Sequence, residues 1–259
     1  MSGEPIIEVE HVRTAFGAAV VHEDVSLAIR RGEIFAIAGG NGCGKSTLLR
    51  EIVALLEPAA GTIRLFGRDL RGMDAAATIG MRRRCGVMFQ YGALFSSLTV
   101  LENVAAPLIE HTRLSRPLIA DIAAVKIGLA GFPFASIHKL PNELSGGMRR
   151  RAALARAIAL DPDILFLDEP TAGLDPISAH VFDELVVGLR AALGLTIVMV
   201  THDLDSLWHV ADRVALLGNG RVLGLGTMDE LAQSDRPEIA EYFSGPRGRA
   251  AREQAWNRR

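Results

Sequence analysis

Three groups of residues carry chemistry, and the first is Gly39-Gly-Asn-Gly-Cys-Gly-Lys-Ser46. Glycines at this density let backbone N–H groups close on a phosphate, while a following lysine reaches the β- and γ-phosphates and a serine hydroxyl takes Mg²⁺. Gly39, Gly40, Asn41, Gly42, Cys43, Gly44, Lys45, Ser46 and Thr47 are the expected phosphate cradle, between an apolar strand and a helix. The second group is Leu144-Ser-Gly-Gly-Met148, where a helix opening at Ser145, Gly146 and Gly147 presents unsatisfied N–H groups and a positive dipole end. One nucleotide rarely needs both devices from one copy, so the pair points to a molecule that closes on its twin. The third group gathers polar residues at the C-terminal ends of apolar runs, where α/β folds place ligands. Asp168 after Ile164-Leu-Phe-Leu167 suits Mg²⁺, and Glu169 suits an attacking water. Gln90 after Cys85–Phe89 can reach Mg²⁺ or that water, and His202 after Thr196–Val200 can contact a γ-phosphate. The competing readings are an acidic pair that caps the next segment, an ordinary strand-end glutamine and a structural histidine.

The elements that must hold these groups follow from periodicity and punctuation. Ile6–Phe16, Asp24–Ile29 and Glu33–Ala38 read as strands, with Arg31-Gly32 turning between the last two. A helix is expected from Lys45 to about Leu56, before Pro58 and Gly61, with short strands at Thr62–Phe66 and Cys85–Phe89. From about 90 to 160 the pattern is helical. Thr99 with Glu102 forms a capping box for a helix through Leu108, Pro117 opens a helix closed near Gly128, and the third runs from Ser145 to Leu160. Ile164–Leu167 and Thr196–Val200 are continuous apolar runs of the kind buried on both faces of a parallel sheet. Asp175-Pro176 opens the helix between them, to about Leu193. Asn219-Gly220 is a type I′ signal for a hairpin of Arg213–Leu217 with Arg221–Leu225, and Thr227 with Glu230 is a second capping box.

Bulk composition narrows the class. The chain has 259 residues, 49% of them hydrophobic, and a formal net charge of −2, which argues against nucleic-acid binding through global charge. No apolar stretch approaches the ~18 residues of a membrane span, and the N-terminus lacks the form of a signal peptide. Cys43 and Cys85 offer no disulfide framework and fit a reducing compartment. The expectation is a cytoplasmic protein that meets membranes only through a partner.

The ordered set of phosphate loop, Gln90, Leu144–Met148, Ile164–Pro170, Ala172-Gly-Leu-Asp175 and His202 resembles the ATP-binding cassette (ABC) ATPases over roughly residues 6–232. The resemblance implies an α/β P-loop fold with a RecA-like parallel-sheet core, an N-terminal antiparallel β subdomain and an inserted helical subdomain. The implied domain is 1–245, with a core lobe of about 1–89 and 161–232, a helical subdomain of about 90–160 and an Arg-rich tail at 246–259. It implies ATP and Mg²⁺ as cofactors and ATPase activity, with two nucleotides between head-to-tail copies, each held by Lys45 of one and Ser145, Gly146 and Gly147 of the other. Asp175 resembles the aspartate linking the two sites. Phe16 matches the adenine-stacking aromatic, usually Tyr; a core Phe is the competing reading.

Phe89-Gln-Tyr-Gly-Ala-Leu-Phe95, Leu98-Thr-Val100, Glu102-Asn-Val104 and Met148 followed by Arg149–Arg151 resemble a narrower group, the ATPases of Mla and MCE-type lipid transport systems. That likeness implies phospholipid or another hydrophobic cargo, a peripheral site on the cytoplasmic face of the inner membrane, a transmembrane permease, an MCE-domain protein and a STAS-domain regulator. An importer for a polar solute and a soluble non-transport ABC ATPase are the alternatives; a single cassette without heptads disfavours the second. Among lesser features, Arg82–Arg84 read as a solvated basic edge. Arg149–Arg151 sit against the helix dipole and call for charge partners, with carboxylates expected for Arg150 or Arg151. Cys43 is either a reactive thiol or a small space-filler, and the tail is either a docking segment or disordered.

Overall fold

A computed structural model describes residues 4–244. In chain order the elements are β1 Pro5–Phe16, β2 Ala19–Arg30, β3 Ile34–Gly39, α1 Lys45–Ile52, β4 Ala60–Leu65, β5 Arg68–Asp69, α2 Ala75–Arg82 and β6 Cys85–Met88. They continue with α3 Val100–His111, α4 Arg116–Leu129, α5 Gly146–Ala157, β7 Ile164–Asp168 and α6 Pro176–Leu193. The last are β8 Thr196–Val200, α7 Leu204–Val210, β9 Arg213–Gly218, β10 Arg221–Gly226, α8 Met228–Ala232 and α9 Pro237–Ser244. The described chain divides into two compact units, 4–78 with 196–244, and 79–195. The tail at 246–259 lies outside the described residues.

The first unit carries strands in the order β5-β4-β1-β2-β10-β9-β3-β8. β1 is antiparallel to β2 and β4, as expected of an N-terminal antiparallel layer, whereas β3 runs parallel to both β8 and β9. Every residue of β3 and β8 is buried, which is why both read as unbroken apolar runs. One hydrophobic cluster joins Ala36 and Ala38 of β3 to Leu204 and Leu207 of α7, Val214 and Leu216 of β9, and residues of α8 and α9. The turn before β3 is tied at both ends. Glu33 accepts the Arg30 N–H at 2.7 Å and pairs with Arg213 at 3.1 Å, and Asp212 accepts the Ile34 N–H at 2.8 Å. Asn219 and Gly220 both take positive φ in the β9–β10 turn, as the type I′ signal requires.

The second unit pairs β6 and β7 in parallel and packs α3, α4 and α5 on one another, with α5 against β6. Gly86 marks that last contact: a Cβ there would lie 2.3 Å from the Ala157 carbonyl oxygen. Both capping boxes form, at Thr99–Glu102 and Thr227–Glu230.

Several boundaries differ from expectation. α1 stops at Ile52 rather than near Leu56, because Ala54 takes a left-handed φ of 57° and the Leu55 N–H turns back to the Arg50 carbonyl at 2.8 Å. α3 continues past Leu108 to His111 with Pro107 inside it, and Thr112 then closes it by donating its hydroxyl to the Leu108 carbonyl at 2.6 Å. α5 ends at Ala157, short of Leu160. The helices α2, α7 and α9, eight residues or fewer, were not anticipated.

Candidate functional site

In the first unit, β3 delivers the phosphate loop and α1 receives it. Gly39 leaves the strand at φ 146°, and a Cβ there would lie 2.4 Å from the Leu217 carbonyl oxygen, so the loop presses on β9 as only glycine allows. Lys45 is buried and its ammonium donates to the Gly39 and Gly40 carbonyls at 3.0 and 2.9 Å, with the Cys43 sulfur 4.0 Å away. Gly44 is the N-cap of α1, and no acidic residue occupies that helix's first turn. The first-turn N–H groups and the dipole of this helix therefore favour an anion. Asn41 and Gly42 are exposed, and Ser46 and Thr47 are half-buried.

β3 pairs in parallel with β8, Ile37 opposite Val200, so the phosphate loop and His202 leave neighbouring strands at their C-terminal ends. His202 is exposed, directly after buried Thr201, whose hydroxyl oxygen accepts the Asp203 N–H at 3.1 Å. Phe16 ends β1 at the turn into β2 and is 53% exposed. The competing core reading is thereby removed; an exposed ring at a strand end is available for stacking.

The second unit repeats this arrangement. β6 and β7 are parallel, Met88 opposite Leu167, so Gln90 and the pair Asp168-Glu169 also emerge from adjacent strand ends. Both carboxylates are buried, and Glu169 holds a left-handed φ of 49°, an uncommon conformation for a non-glycine residue. Asp175 caps α6, accepting the Ser178 N–H at 3.0 Å; hydrogen bonds from the Ser178 side chain and backbone hold its carboxyl below the usual aspartate range. Ser145 caps α5, its hydroxyl oxygen accepting the Met148 N–H at 3.3 Å, and Gly146 and Gly147 open the helix.

Among the described residues, the arginines that follow bind carbonyls, and the carboxylate ion pair expected for Arg150 or Arg151 does not form. Arg149 donates to Pro141 and Leu144 at 3.3 and 3.2 Å, and Arg151 to Ala130 and Gly131 at 3.3 and 3.1 Å. Arg150 donates to the carbonyl of Gln90 and, at 2.7 Å, to that of Ala172, so one side chain ties the segment after β6 to the segment after β7. Burial pulls Arg150 below the usual arginine range, opposed by Tyr91 and Glu169. Arg156 holds Ala93 and Gly92 at 2.7 and 2.8 Å, and buried Asn103 bonds the backbone of Phe95, Leu98 and Thr99. Nothing in residue spacing announced these anchors. Among Arg82–Arg84, Arg84 pairs with Asp163 at 2.7 Å.

A strand–glycine loop–helix device whose lysine opens the helix and folds back onto the loop, and a strand ending in a buried aspartate with a buried glutamate directly after it, define a P-loop ATPase of the cassette type. A family model described as ABC transporter matches residues 22–172, and the chain belongs to that family. It is 40% identical over 240 residues to the intermembrane phospholipid transport system ATP-binding protein MlaF of Haemophilus influenzae, spanning 93% of this chain and 90% of that protein. It is 38% identical over 241 residues to the probable ribonucleotide transport ATP-binding protein mkl of Mycobacterium tuberculosis (strain H37Rv), spanning 93% of this chain and 67% of that protein. The structure superposes on the dimeric cassette MJ0796 in a post-hydrolysis state with ADP and Pi, at a TM-score of 0.79 and 31% identity, over 86% of this chain and 98% of that one. The protein is thus an ATP-binding, ATP-hydrolysing transporter subunit. Among the described residues, no helix is long and apolar enough to cross a membrane.

Proposed function

We propose that this ATPase powers phospholipid transport from the cytoplasmic face of an inner membrane, as a peripheral subunit of a complex with a transmembrane permease. The observation that carries this reading is the 40% identity to MlaF along nearly the whole chain. Lys45 and the loop from Gly39 to Thr47 hold the ATP phosphates, and Phe16 supports the adenine. Ser46, Gln90 and Asp168 supply the hard oxygen donors that suit Mg²⁺. Mg²⁺, when bound, neutralises phosphate charge. Glu169 orients and deprotonates the water, and His202 contacts the γ-phosphate. Two copies act head to tail, with Ser145, Gly146 and Gly147 of the second copy closing on the same ATP and Asp175 linking the two sites; the dimeric state of MJ0796 supports this. The segment from Gln90 to Val104, braced by Asn103 and Arg156, passes closure to the permease.

A polar-solute reading has one observation behind it, the 38% identity to mkl. Purification of the intact complex from membranes, with mass spectrometry of subunits and bound lipids, separates the two. Phospholipid with an MCE-domain protein and a STAS-domain subunit is expected. A solute-binding protein in their place would overturn the lipid assignment while leaving the ATPase intact.

A further inference from the structure

The first unit buries a polar cluster beneath the phosphate loop that the chemistry above does not use. Thr14 of β1, His22 of β2 and Glu51 of α1 are 2%, 0% and 1% exposed. The Thr14 hydroxyl donates to Glu51 Oε1 at 2.6 Å and lies 2.9 Å from His22 Nδ1, and Glu51 Oε2 is 3.5 Å from that nitrogen. Three elements therefore fix the imidazole ring. Its other nitrogen, Nε2, lies 3.2 Å from the Gly44 carbonyl oxygen. A carbonyl only accepts, so Nε2 is assigned the proton and donates it.

Gly44 is where the loop becomes α1. It caps the helix at φ 95° and ψ 7° with no side-chain hydrogen bond, and its carbonyl also accepts the Leu48 N–H at 2.9 Å. A Cβ on Gly44 would lie 2.3 Å from His22 Nε2 and 2.7 Å from Val21 Cγ1. Glycine is required here for its backbone conformation and also because the imidazole occupies the space a side chain would need.

We propose that His22 is a positioning residue for ATP: its Nε2–H, aligned by Thr14 and Glu51, holds the Gly44 carbonyl and so orients the backbone N–H groups that open α1. This rests on the assignment of Gly39–Ser46 to the ATP phosphates. A cluster kept only for packing is replaceable by apolar side chains of similar size, often without loss of stability. One kept to hold Gly44 is not, because an apolar side chain cannot donate.

Reach gives the test. A glutamine amide extends as far as Nε2, and an asparagine amide only as far as Nδ1, so His22→Gln and His22→Asn carry the same group to different depths. The double variant H22L/E51L removes the cluster without stranding a buried carboxylate. Binding of a fluorescent ATP analogue, KM and kcat from phosphate release, and Tm are measured on the full chain. His22→Gln should bind within about twofold of the parent, while His22→Asn and H22L/E51L should raise Kd and KM about fivefold, as one hydrogen bond sustains, with less change in kcat. H22L/E51L strands only the Thr14 hydroxyl, so it should stay folded with a Tm within about 10 °C of the parent. Parent-like Kd in folded H22L/E51L, or equal affinity of the glutamine and asparagine variants, would overturn the inference; if the double variant does not fold, the glutamine–asparagine pair decides. Lys45→Ala is the control. Lost binding there beside parent-like His22→Asn removes only the role of His22, whereas retained binding removes the phosphate assignment as well.

Discussion

Replacing Arg150 by methionine should loosen at once two segments to which we assign catalytic residues. The guanidinium is buried and donates to the Gln90 carbonyl and, at 2.7 Å, to the Ala172 carbonyl. Methionine keeps an unbranched stem but deletes every donor. A hydrogen bond to a charged group contributes about 1.5–3 kcal/mol net, so the two together are worth about 3–6 kcal/mol. Desolvation, the main cause that pulls Arg150 below the usual arginine range, returns part of that when the charge is removed. A loss of about 2–4 kcal/mol is therefore expected in urea unfolding of the full chain. Lysine presents one point charge where arginine presents a fork, so Arg150→Lys should recover about half of the loss. Freed carbonyls also displace Gln90 and the segment that leads from Glu169 to Asp175. Catalytic geometry tolerates little displacement, so kcat should fall at least about tenfold with a smaller change in KM. An Arg150→Met protein that unfolds within about 0.5 kcal/mol of the parent and keeps its kcat would refute the reasoning.

Glu169→Gln should preserve ATP binding and dimer closure yet nearly stop turnover; near-normal steady-state hydrolysis would remove its assignment as the base. The two cysteines should differ in reactivity. Burial pushes the Cys85 thiol up to about 12, with Arg84 opposing and Asp163 adding to the shift, whereas Cys43 sits at the phosphate loop. Alkylation of the native chain at pH 8 should therefore mark Cys43, and ATP should slow it; peptide mapping that finds Cys85 modified as fast, or full activity after stoichiometric modification of Cys43, would contradict this. The same raised thiol sets a stability trend. Because its folded value lies above the unfolded 9.0, its contribution is fully present below pH 9 and is lost as pH climbs toward about 12. Unfolding free energies that rise over that window in the parent relative to Cys85→Ser would run against it.

The parts legible in the sequence are those written in local backbone rules. The glycine spacing of the phosphate loop, the two capping boxes and Asn219-Gly220 each demand particular residues within a few positions, and each forms as read. The buried runs of β3, β7 and β8 were equally plain, because a strand covered on both faces shows no alternation. The early end of α1 was hidden because Ala54, not glycine, adopts the left-handed turn. The partners of Arg149, Arg150, Arg151 and Arg156 were hidden for a more general reason: a carbonyl acceptor exists at every residue, so its choice leaves no mark on composition. Thr14, His22 and Glu51 lie on three separate elements, and only the fold brings them together.

Most of these side-chain anchors share one direction, although Asn103 Oδ1 accepts the Phe95 N–H at 2.8 Å. Lys45 donates to the Gly39 and Gly40 carbonyls, His22 to Gly44, Arg150 to Gln90 and Ala172, and Arg156 to Gly92 and Ala93. In every case a side-chain donor on a helix or strand grips the acceptor side of a loop peptide. That choice has a chemical consequence, since each peptide unit carries one donor and one acceptor. At the phosphate loop, gripping carbonyls with side-chain donors adds no acceptor that would compete for the loop's N–H groups, and N–H groups are what a polyphosphate needs from a protein. Gripping the N–H side with carboxylates would hold the loops as firmly but would leave carbonyls and negative charge facing the same anion. Acceptor-side anchoring therefore reconciles a firmly held phosphate loop, exposed at Asn41 and Gly42, with a surface that suits an anion, and it explains why lysine and histidine lie beneath that loop.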